Sequence, residues 1–193
     1  MLAQISTLKT RLALDEFDVK YDALLLNAIR AITTRFDREC NRTFARTVDA
    51  VHECNADTTE IRVACYPVES VAKFDVKANE SEGWVERTNV EYLVRTQCVI
   101  SLTERLGTGA EQARLTYTGG YVLPGLSPAA GQSALPADLE QAAIEQLTYW
   151  FQNRDKLGLL RIWPHQGTYQ QFAPLDLLPG VVAVLKRYER WPG

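Results

Sequence analysis

The chain has 193 residues, of which 46% are hydrophobic and 23% are charged, and its formal net charge at pH 7 is −3. This composition is typical of a folded protein and excludes a globally disordered chain. The negative charge argues against a general affinity for nucleic-acid phosphates, which requires a basic surface. Since no window approaches about 18 uninterrupted apolar residues, we expect no membrane-spanning helix and no membrane partner.

Two helices are predicted in the first fifth of the chain, over residues 5–14 and 22–40. Ser6 or Thr7 could cap the first helix, and an acidic stretch at residues 15–18 separates the two. Apolar residues recur at about 3.6-residue spacing in the second helix, with Asp22 as its N-cap and Asn41 as its C-terminal stop. These apolar positions are Leu25, Ala28, Ile29, Ile32, Phe36 and Cys40.

From residue 47 the apolar period falls from about 3.6 to about 2, which is typical of β-strands. Turn-forming residues separate short β-branched or aromatic runs, and this spacing favours an antiparallel sheet or small sandwich over βαβ units. The predicted strands cover residues 48–53, 60–65, 71–76, 92–95, 98–102 and 113–118. Residues 122–134, which hold two prolines and two glycines, are predicted to form a loop.

A long central helix is predicted over residues 135–154, where Pro136 suits the first helical position and Asp138 and Glu140 suit the first turn. We therefore predict an α+β fold: a helical bundle of N-terminal helices, long central helix and C-terminal helix, with an inserted antiparallel β-sheet or small sandwich. The chain is treated as a single domain, residues 1–193. Within it, residues 1–46 are helical, residues 47–121 are a β insertion and residues 135–193 are again helical.

An aromatic arm is predicted at residues 157–178, before a last helix that begins at Pro179. It forms either a protruding hairpin, with residues 164–167 as its turn, or an arm over a neighbour. Tyr, Trp and Arg are the residues most often found as interface hot spots. We therefore predict these partner-binding residues: Trp163, Tyr169, Phe172, Tyr188, Arg190 and Trp191. The alternative is that the last helix belongs to the core, with Trp191 packed on its own domain.

The sequence offers little for catalysis, with only two histidines and four cysteines. His52 and Cys54 share a face of a predicted strand, but structural zinc normally takes four ligands and no second close pair accompanies them. The sequence contains no GxSxG elbow, no GxxxxGK[ST] phosphate loop and no GxGxxG turn. The four cysteines are scattered and form no CxxC pair, and since the sequence shows no export signal we expect reduced thiols. We predict no catalytic, metal-binding or cofactor-binding residues and no enzyme activity.

The order of several short motifs resembles one protein family. Residues 5–14 and 22–36 are similar to an opening of the form "L..K..L" and "D..L...I..A". Further matches are residues 40–44 (CNRTF) to "tgR", 115–121 (LTYTGGY) to "v.YtaGY", 135–139 and 150–154 to "lP.dl..Ai" and "yenR", and 178–181 and 185–190 to "lP..v..LL..yR". The family is that of the head–tail connector proteins (adaptor or head-completion proteins) of long-tailed bacteriophages. The aromatic insertion at residues 157–173 departs from its pattern.

The resemblance implies a non-enzymatic structural protein of the virion neck, assembled in the host cytoplasm. It implies a ring, usually a dodecamer, that lies under the capsid portal and joins it to the tail. The implied partners are other copies of the chain, the portal protein, tail or neck proteins, and genomic DNA that passes through the lumen without sequence-specific contact. A ring needs a heterologous interface, and a mildly acidic lumen would let DNA slide.

Within this hypothesis, portal contact is assigned to the C-terminal helix with Tyr188, Arg190 and Trp191. Ring contacts are assigned to the long helices and to the arm near Trp163. The alternatives are another ring protein of the particle, such as a tail terminator or a different neck protein, and then a DNA-binding accessory factor or a small hydrolase. Partner identity separates the ring proteins, and salt-dependent affinity for duplex DNA would support the DNA-binding factor.

Overall fold

The computed structural model describes residues 1–155, 161–162, 170–171 and 176–190. The helices in these ranges are α1 (Ile5–Arg11), α2 (Asp22–Glu39), α3 (Ala137–Gln152) and α4 (Pro179–Leu185). The strands are β1 (Thr47–Asn55), β2 (Glu60–Arg62), β3 (Val68–Lys77), β4 (Val85–Arg87), β5 (Tyr92–Arg95), β6 (Val99–Leu102), β7 (Gln112–Gly119), β8 (Tyr121–Val122), β9 (Ser133–Ala134), β10 (Arg161–Ile162) and β11 (Gln170–Gln171). No helix in the described ranges has the length and apolar character needed to cross a bilayer.

The predicted fold class, a helical bundle with a long central helix and an inserted sheet, is wrong. The described residues are mostly β, with antiparallel sheets and four short helices. The helix predicted as central, α3, has 16 residues and is shorter than α2, which has 18. Its apolar stripe indicates a buried helix correctly, but the stripe carries no information about the number of strands elsewhere. Three short strands without an apolar period, β4, β8 and β9, were not predicted.

The chain divides into two compact units. The first contains residues Met1–Cys40 and Pro136–Glu189 and therefore all four helices. The second contains residues Asn41–Leu135 and Arg190–Gly193 and therefore strands β1 to β9. The single connector domain over residues 1–193 stays a prediction.

In the helical unit, α3 contacts α1, α2 and α4. The side chain of Gln146 on α3 is fully buried, and it forms hydrogen bonds with the backbone that precedes α4. Its Oε1 accepts a hydrogen bond from the Leu178 N–H at 2.7 Å, and its Nε2 donates to the Asp176 carbonyl at 3.4 Å. A buried amide must be hydrogen-bonded to avoid a desolvation cost, so these bonds fix where α4 begins.

The second unit is a small sandwich of two antiparallel sheets. One has the strand order β1-β7-β3-β4 and the other β2-β6-β5. Buried side chains of both sheets form one apolar core. Its largest members are Ile61, Ile100, Phe74, Leu115 and Tyr117. Side chains of alternate residues point to opposite faces of a strand, so the core positions identify the inner faces of β2, β3, β6 and β7.

A β-bulge interrupts the pairing of β1 with β7. Thr47 pairs with Gly119 and Ala50 with Tyr117, so β1 has one extra residue between these pairs. Asp49, inside the bulge, has a positive φ of 53°, a conformation that Asp tolerates better than most residues. The extra residue places Val48 on the same outer face as Val51, and both side chains are exposed.

Two further strand pairs are short. β8 and β9 pair in parallel, within the stretch that was predicted to be a loop. β10 and β11 pair antiparallel, which is the pairing that the predicted hairpin in the arm requires. Residues 163–169 between them lie outside the described residues.

Candidate interaction surfaces

Four of the six predicted partner-binding residues, Trp163, Tyr169, Phe172 and Trp191, lie outside the part of the chain that the structure describes. Whether the six side chains form one surface stays a prediction.

Tyr188 and Arg190 are half-buried, and each is hydrogen-bonded within its own unit. The Tyr188 hydroxyl donates to Asp138 Oδ1 at 2.7 Å. Arg190 donates from Nε to the Asn41 carbonyl at 3.0 Å and from Nη1 to the Arg62 carbonyl at 2.8 Å. The Tyr188 hydroxyl is thus bonded to a side chain of α3, and the Arg190 guanidinium is bonded to two backbone carbonyls. Both side chains therefore have a structural role within their own unit, in addition to any partner contact.

His52 and Cys54 lie on the inner face of β1, where Cys54 packs against the sandwich core. Burial, followed by the charge of Arg190, lowers the pKa of His52. Burial, followed by the charge of Asp57, raises the pKa of Cys54. Both side chains are therefore neutral at pH 7, and a neutral thiol is a poor nucleophile. In the described ranges, no group of three or more His, Cys, Asp or Glu side chains could hold a metal ion.

The side of the sandwich formed by β4 and β5 exposes apolar side chains. Tyr92 and Val94 on β5 face inward, because they pair with the buried Leu102 and Ile100. They nevertheless remain 42% and 36% exposed, and Leu93 between them is 60% exposed. Val85 on β4 is 54% exposed although it pairs with a core residue of β3. The seam between the two sheets is therefore open on this side.

A groove of about 450 Å³ continues this open side. The loop between β4 and β5 and the residues that follow β6 form its walls, and its charged lining residues are Arg87, Glu91, Glu104 and Arg105. The lining contains two positive and two negative side chains, so the groove does not favour a ligand of one charge. A groove with this lining is better suited to extend a protein interface than to serve as a reaction site.

The β1 side of the same sandwich exposes a second, smaller apolar surface. Val48 and Val51 are 57% and 58% exposed on the outer face of the strand. β1 is the terminal strand of its sheet, so in the described part of the chain one of its backbone edges lacks a strand partner. The strand carries two acidic residues, Asp49 and Glu53, and no Lys or Arg.

The acidic loop after α1 is a third exposed feature and belongs to the helical unit. Phe17 at its tip is 88% exposed. The loop is nevertheless ordered by side-chain bonds, because Asp15 Oδ1 accepts from the Phe17 N–H at 2.9 Å and Asp18 Oδ1 accepts from the Lys20 N–H at 2.9 Å. It therefore presents a large apolar ring from a defined backbone.

Sequence reasoning placed partner binding in the aromatic arm and missed the exposed apolar residues of β1, β4 and β5. One signal was present in the sequence. A strand with one face in water normally alternates apolar and polar residues, whereas Tyr92, Leu93 and Val94 follow one another without a polar residue. The other exposed positions carry no comparable signal.

No protein-family model matches the sequence, and no curated protein matches it. Among solved structures, the chain is similar to a chain in the neck of an empty GTA particle, computed with C6 symmetry. The similarity covers 97% of this chain and 89% of that chain, with a TM-score of 0.59 and 18% sequence identity. At this identity, the comparison shows a shared fold over nearly the whole length of both chains.

Proposed function

We propose that the chain is a structural protein in the neck of a phage or phage-like particle. There it forms an oligomeric ring that joins the capsid portal to the tail and lets DNA pass through the lumen. The supporting observation is the fold similarity to a chain from a particle neck, which extends over 97% of the residues. The order of connector-like motifs along the sequence supports the same role independently. In this role the chain is not an enzyme and is assembled in the host cytoplasm.

The ring is proposed to contain twelve copies, as the sequence resemblance implies. The C6 symmetry of the similar neck structure is compatible with this number, because a twelve-fold ring also obeys six-fold symmetry. Each copy then needs two unlike surfaces for its neighbours and further surfaces for the portal and for the tail or other neck proteins.

Genetic removal in the strain that produces the particle tests this role. We expect DNA-filled capsids and separate tails in the absence of the chain, and joined particles when a wild-type copy is supplied. Mass spectrometry of purified particles should detect the chain, and electron microscopy should show its density between portal and tail. Particles that join normally without the chain, or that never contain it, would contradict the proposal.

We assign portal contact to Tyr188, Arg190 and Trp191, and neighbour contact in the ring to the arm residues Trp163, Tyr169 and Phe172. Because Arg190 makes two internal hydrogen bonds, the sharper test is Trp191→Ala with Arg190 intact. We expect this variant to lose association with the purified portal protein in a pull-down experiment. Lys186→Ala is the control, since Lys186 is exposed at the end of α4 and has no assigned partner contact. Association of Trp191→Ala at the wild-type level would contradict the assignment.

A different ring in the neck, or a tail terminator, is the second candidate. The similar structure is described only as a neck, which favours this class of position without selecting the layer next to the portal. Crosslinking in intact particles, followed by identification of the crosslinked partners, separates the two. Crosslinks to the portal protein favour the connector, and crosslinks to tail proteins alone favour the second candidate.

A further inference from the structure

We propose that the edge of β5 in one copy of the chain pairs with the edge of β1 in the next copy around the ring. This pairing would join the three-stranded sheet of one sandwich to the four-stranded sheet of its neighbour. The inference rests on the proposed ring and names the strands that hold neighbouring copies together. The occupant of each edge is a second copy of this chain.

Both edges have unused backbone hydrogen-bonding capacity. β1 and β5 are terminal strands in the orders β1-β7-β3-β4 and β2-β6-β5, so neither has a second strand partner among the described residues. An exposed edge of this kind is a template for pairing with another chain. The edge of β2 is a poorer candidate, because Arg190 already donates to the outward-facing carbonyl of Arg62.

The two edges lie on opposite sides of the sandwich. β1 and β4 are the two ends of the four-stranded sheet. β5 belongs to the β4 side, because the Tyr92 ring lies 5.7 Å from the ring of Phe74 on β3, the strand next to β4. A contact between one side of a copy and the other side of the next is heterologous, which is the type that closes into rings.

Among the described residues of the sandwich unit, most of the exposed large apolar side chains lie on these same edges. Three neighbouring β5 residues, Tyr92, Leu93 and Val94, are exposed, and so are Val48 and Val51 on β1. Large exposed apolar patches normally mark interaction sites. The inward-facing Tyr92 and Val94 are the most informative, since an added strand would close the open seam of the sandwich above them.

The side-chain faces define a register for the pairing. The side chains of Leu93 on β5 and Val51 on β1 both face outward, but the Leu93 backbone groups point toward β6 whereas the Val51 backbone groups point toward the free edge. A parallel pair with these two residues opposite each other therefore joins outer face to outer face. In this register Arg95 lies opposite Glu53, and Val94 lies opposite His52. The charges are complementary, because β1 carries Asp49 and Glu53 whereas Arg95 is the one charged residue of β5. Arg95 is available, since its ion pair with Glu60 is long, at 3.7 Å, and exposed.

The β1 bulge limits how many residues of the strand can pair with a strand of another copy. Bulges twist an edge strand and restrict unwanted association, and here the bulge separates Thr47 from the regular part of the strand that begins at Ala50. The regular part, residues 50–55, is long enough to match the four residues of β5. The edge is therefore protected against indefinite stacking and still open to one short partner strand.

Cysteine crosslinking in assembled particles tests the register directly. In the double variant Val51→Cys, Leu93→Cys, opposite positions on adjacent strands bring the two Cβ atoms to about 5 Å, close to the distance that a disulfide spans. We expect mild oxidation to give a ladder of covalent oligomers on a non-reducing gel. The matched control is Val51→Cys, Leu126→Cys, in which the second cysteine lies on an exposed loop. The control and each single variant should give no ladder.

Charge substitution at the same two positions gives a second readout. Val51→Asp or Leu93→Lys alone should lower incorporation into particles at least tenfold, and the double variant should restore a large part of it. Both residues are exposed, so folding should be unchanged, as thermal unfolding can verify. If the chain is present in particles but forms no ladder and tolerates both single variants, the strand pairing is overturned and the proposed function stands. If the chain is absent from particles, both proposals fall.

Discussion

At the scale of single residues, Lys9 is a buried cation that organises the acidic loop. Its Nζ donates to the carbonyls of Glu16 and Asp18 at 2.9 Å each and forms an ion pair with Asp22 Oδ1 at 2.6 Å. The lysine thus ties the end of α1 to the loop and to the first turn of α2. The exposed Phe17 lies between the two carbonyls that Lys9 holds, so its presentation depends on this residue.

We predict that Lys9→Met lowers the free energy of unfolding by about 2–4 kcal/mol, because it leaves buried acceptors without their donor while it preserves the apolar stem. Urea denaturation at pH 7 measures this change. Lys20→Met is the matched control, since Lys20 is exposed in the same loop and its loss should change stability by less than about 0.5 kcal/mol. Equal stability of the two variants would show that Lys9 does not hold the loop.

Asp75 on β3 is a second buried charge, and it is fully paired. Its Oδ2 accepts hydrogen bonds from Arg114 Nε at 3.0 Å and Nη2 at 2.7 Å, and Lys73 Nζ lies 3.3 Å away. The Trp84 ring covers the guanidinium of Arg114, with 4.5 Å between the ring centroid and the guanidinium carbon. Burial by itself would raise the pKa of Asp75, but the hydrogen bonds from Arg114 and Lys73 hold the pKa below its usual value.

A lowered pKa in the folded state stabilises the protein above the unfolded pKa of about 3.9, and this contribution is lost as the pH falls through the lower, folded pKa. We therefore predict that Asp75→Asn destabilises the chain most at neutral pH and that its difference from wild type shrinks below about pH 4. Urea titrations from pH 7 to pH 3 measure the difference. Glu104→Gln is an exposed control outside the cluster, and the same pH profile for both variants would refute the role of the Asp75 cluster.

At the scale of elements, the connection between β7 and β8 depends on two glycines. Gly120 has a φ of +98°, and a Cβ added there would lie 2.6 Å from the Ala45 carbonyl oxygen. A Cβ added at Gly119 would lie 2.5 Å from the Cys65 carbonyl oxygen. The backbone segments therefore approach one another closely enough to exclude any side chain, which explains the glycine pair before Tyr121.

We predict that Gly120→Ala is destabilising by about 2–4 kcal/mol, because it combines a strained φ with a clash against backbone. Gly131→Ala is the control for strain alone: its φ is +83°, but an added Cβ meets nothing within 4 Å. It should cost about 1 kcal/mol. Thermal unfolding of both variants measures the difference, and equal losses would mean that the close approach contributes nothing.

Helix positions could be predicted from the sequence because their signal is local. The apolar period of α2 identified Leu25, Ile29, Ile32 and Phe36, all of which are buried. Helix starts were less accurate. Asp22 was predicted as an N-cap but is the first helical residue, and the N-cap position of α1 is Gln4, without a side-chain capping bond, rather than Ser6 or Thr7. A cap depends on the backbone angles of one residue, which the composition of the neighbouring turn does not determine.

The positions of the longer strands were also predictable, but strand order was not. Residues 92–95 were predicted as a strand and form β5, yet its position at the edge of a sheet follows from pairing with β6 alone. Exposure of Tyr92, Leu93 and Val94 is a consequence of that order. The apolar surfaces of the sandwich are therefore long-range properties, whereas sequence reasoning looked for partner binding in local aromatic density.

At the scale of the whole molecule, the net charge of −3 bears on the passage of DNA. A lumen that is not basic does not retain the phosphate backbone, because binding of duplex DNA requires several Lys or Arg contacts and the release of counterions. The alternative of a DNA-binding accessory factor requires the opposite property. The two roles therefore differ in the affinity of the chain for duplex DNA, which can be measured without knowledge of the protein partners.

We predict that the purified chain binds a fluorescein-labelled DNA duplex of mixed sequence with a Kd weaker than about 10⁻⁴ M at 50 mM salt, because its net charge of −3 opposes the phosphate backbone. Fluorescence anisotropy at 50 mM and 200 mM salt measures this affinity and its slope. The exposed double substitution Asp49→Lys, Glu53→Lys is a useful control, since it creates a basic strand on one edge and should raise the affinity at low salt only. Micromolar binding by the wild type that weakens steeply with salt would show phosphate contacts, and would favour a protein that holds DNA over one through which DNA slides.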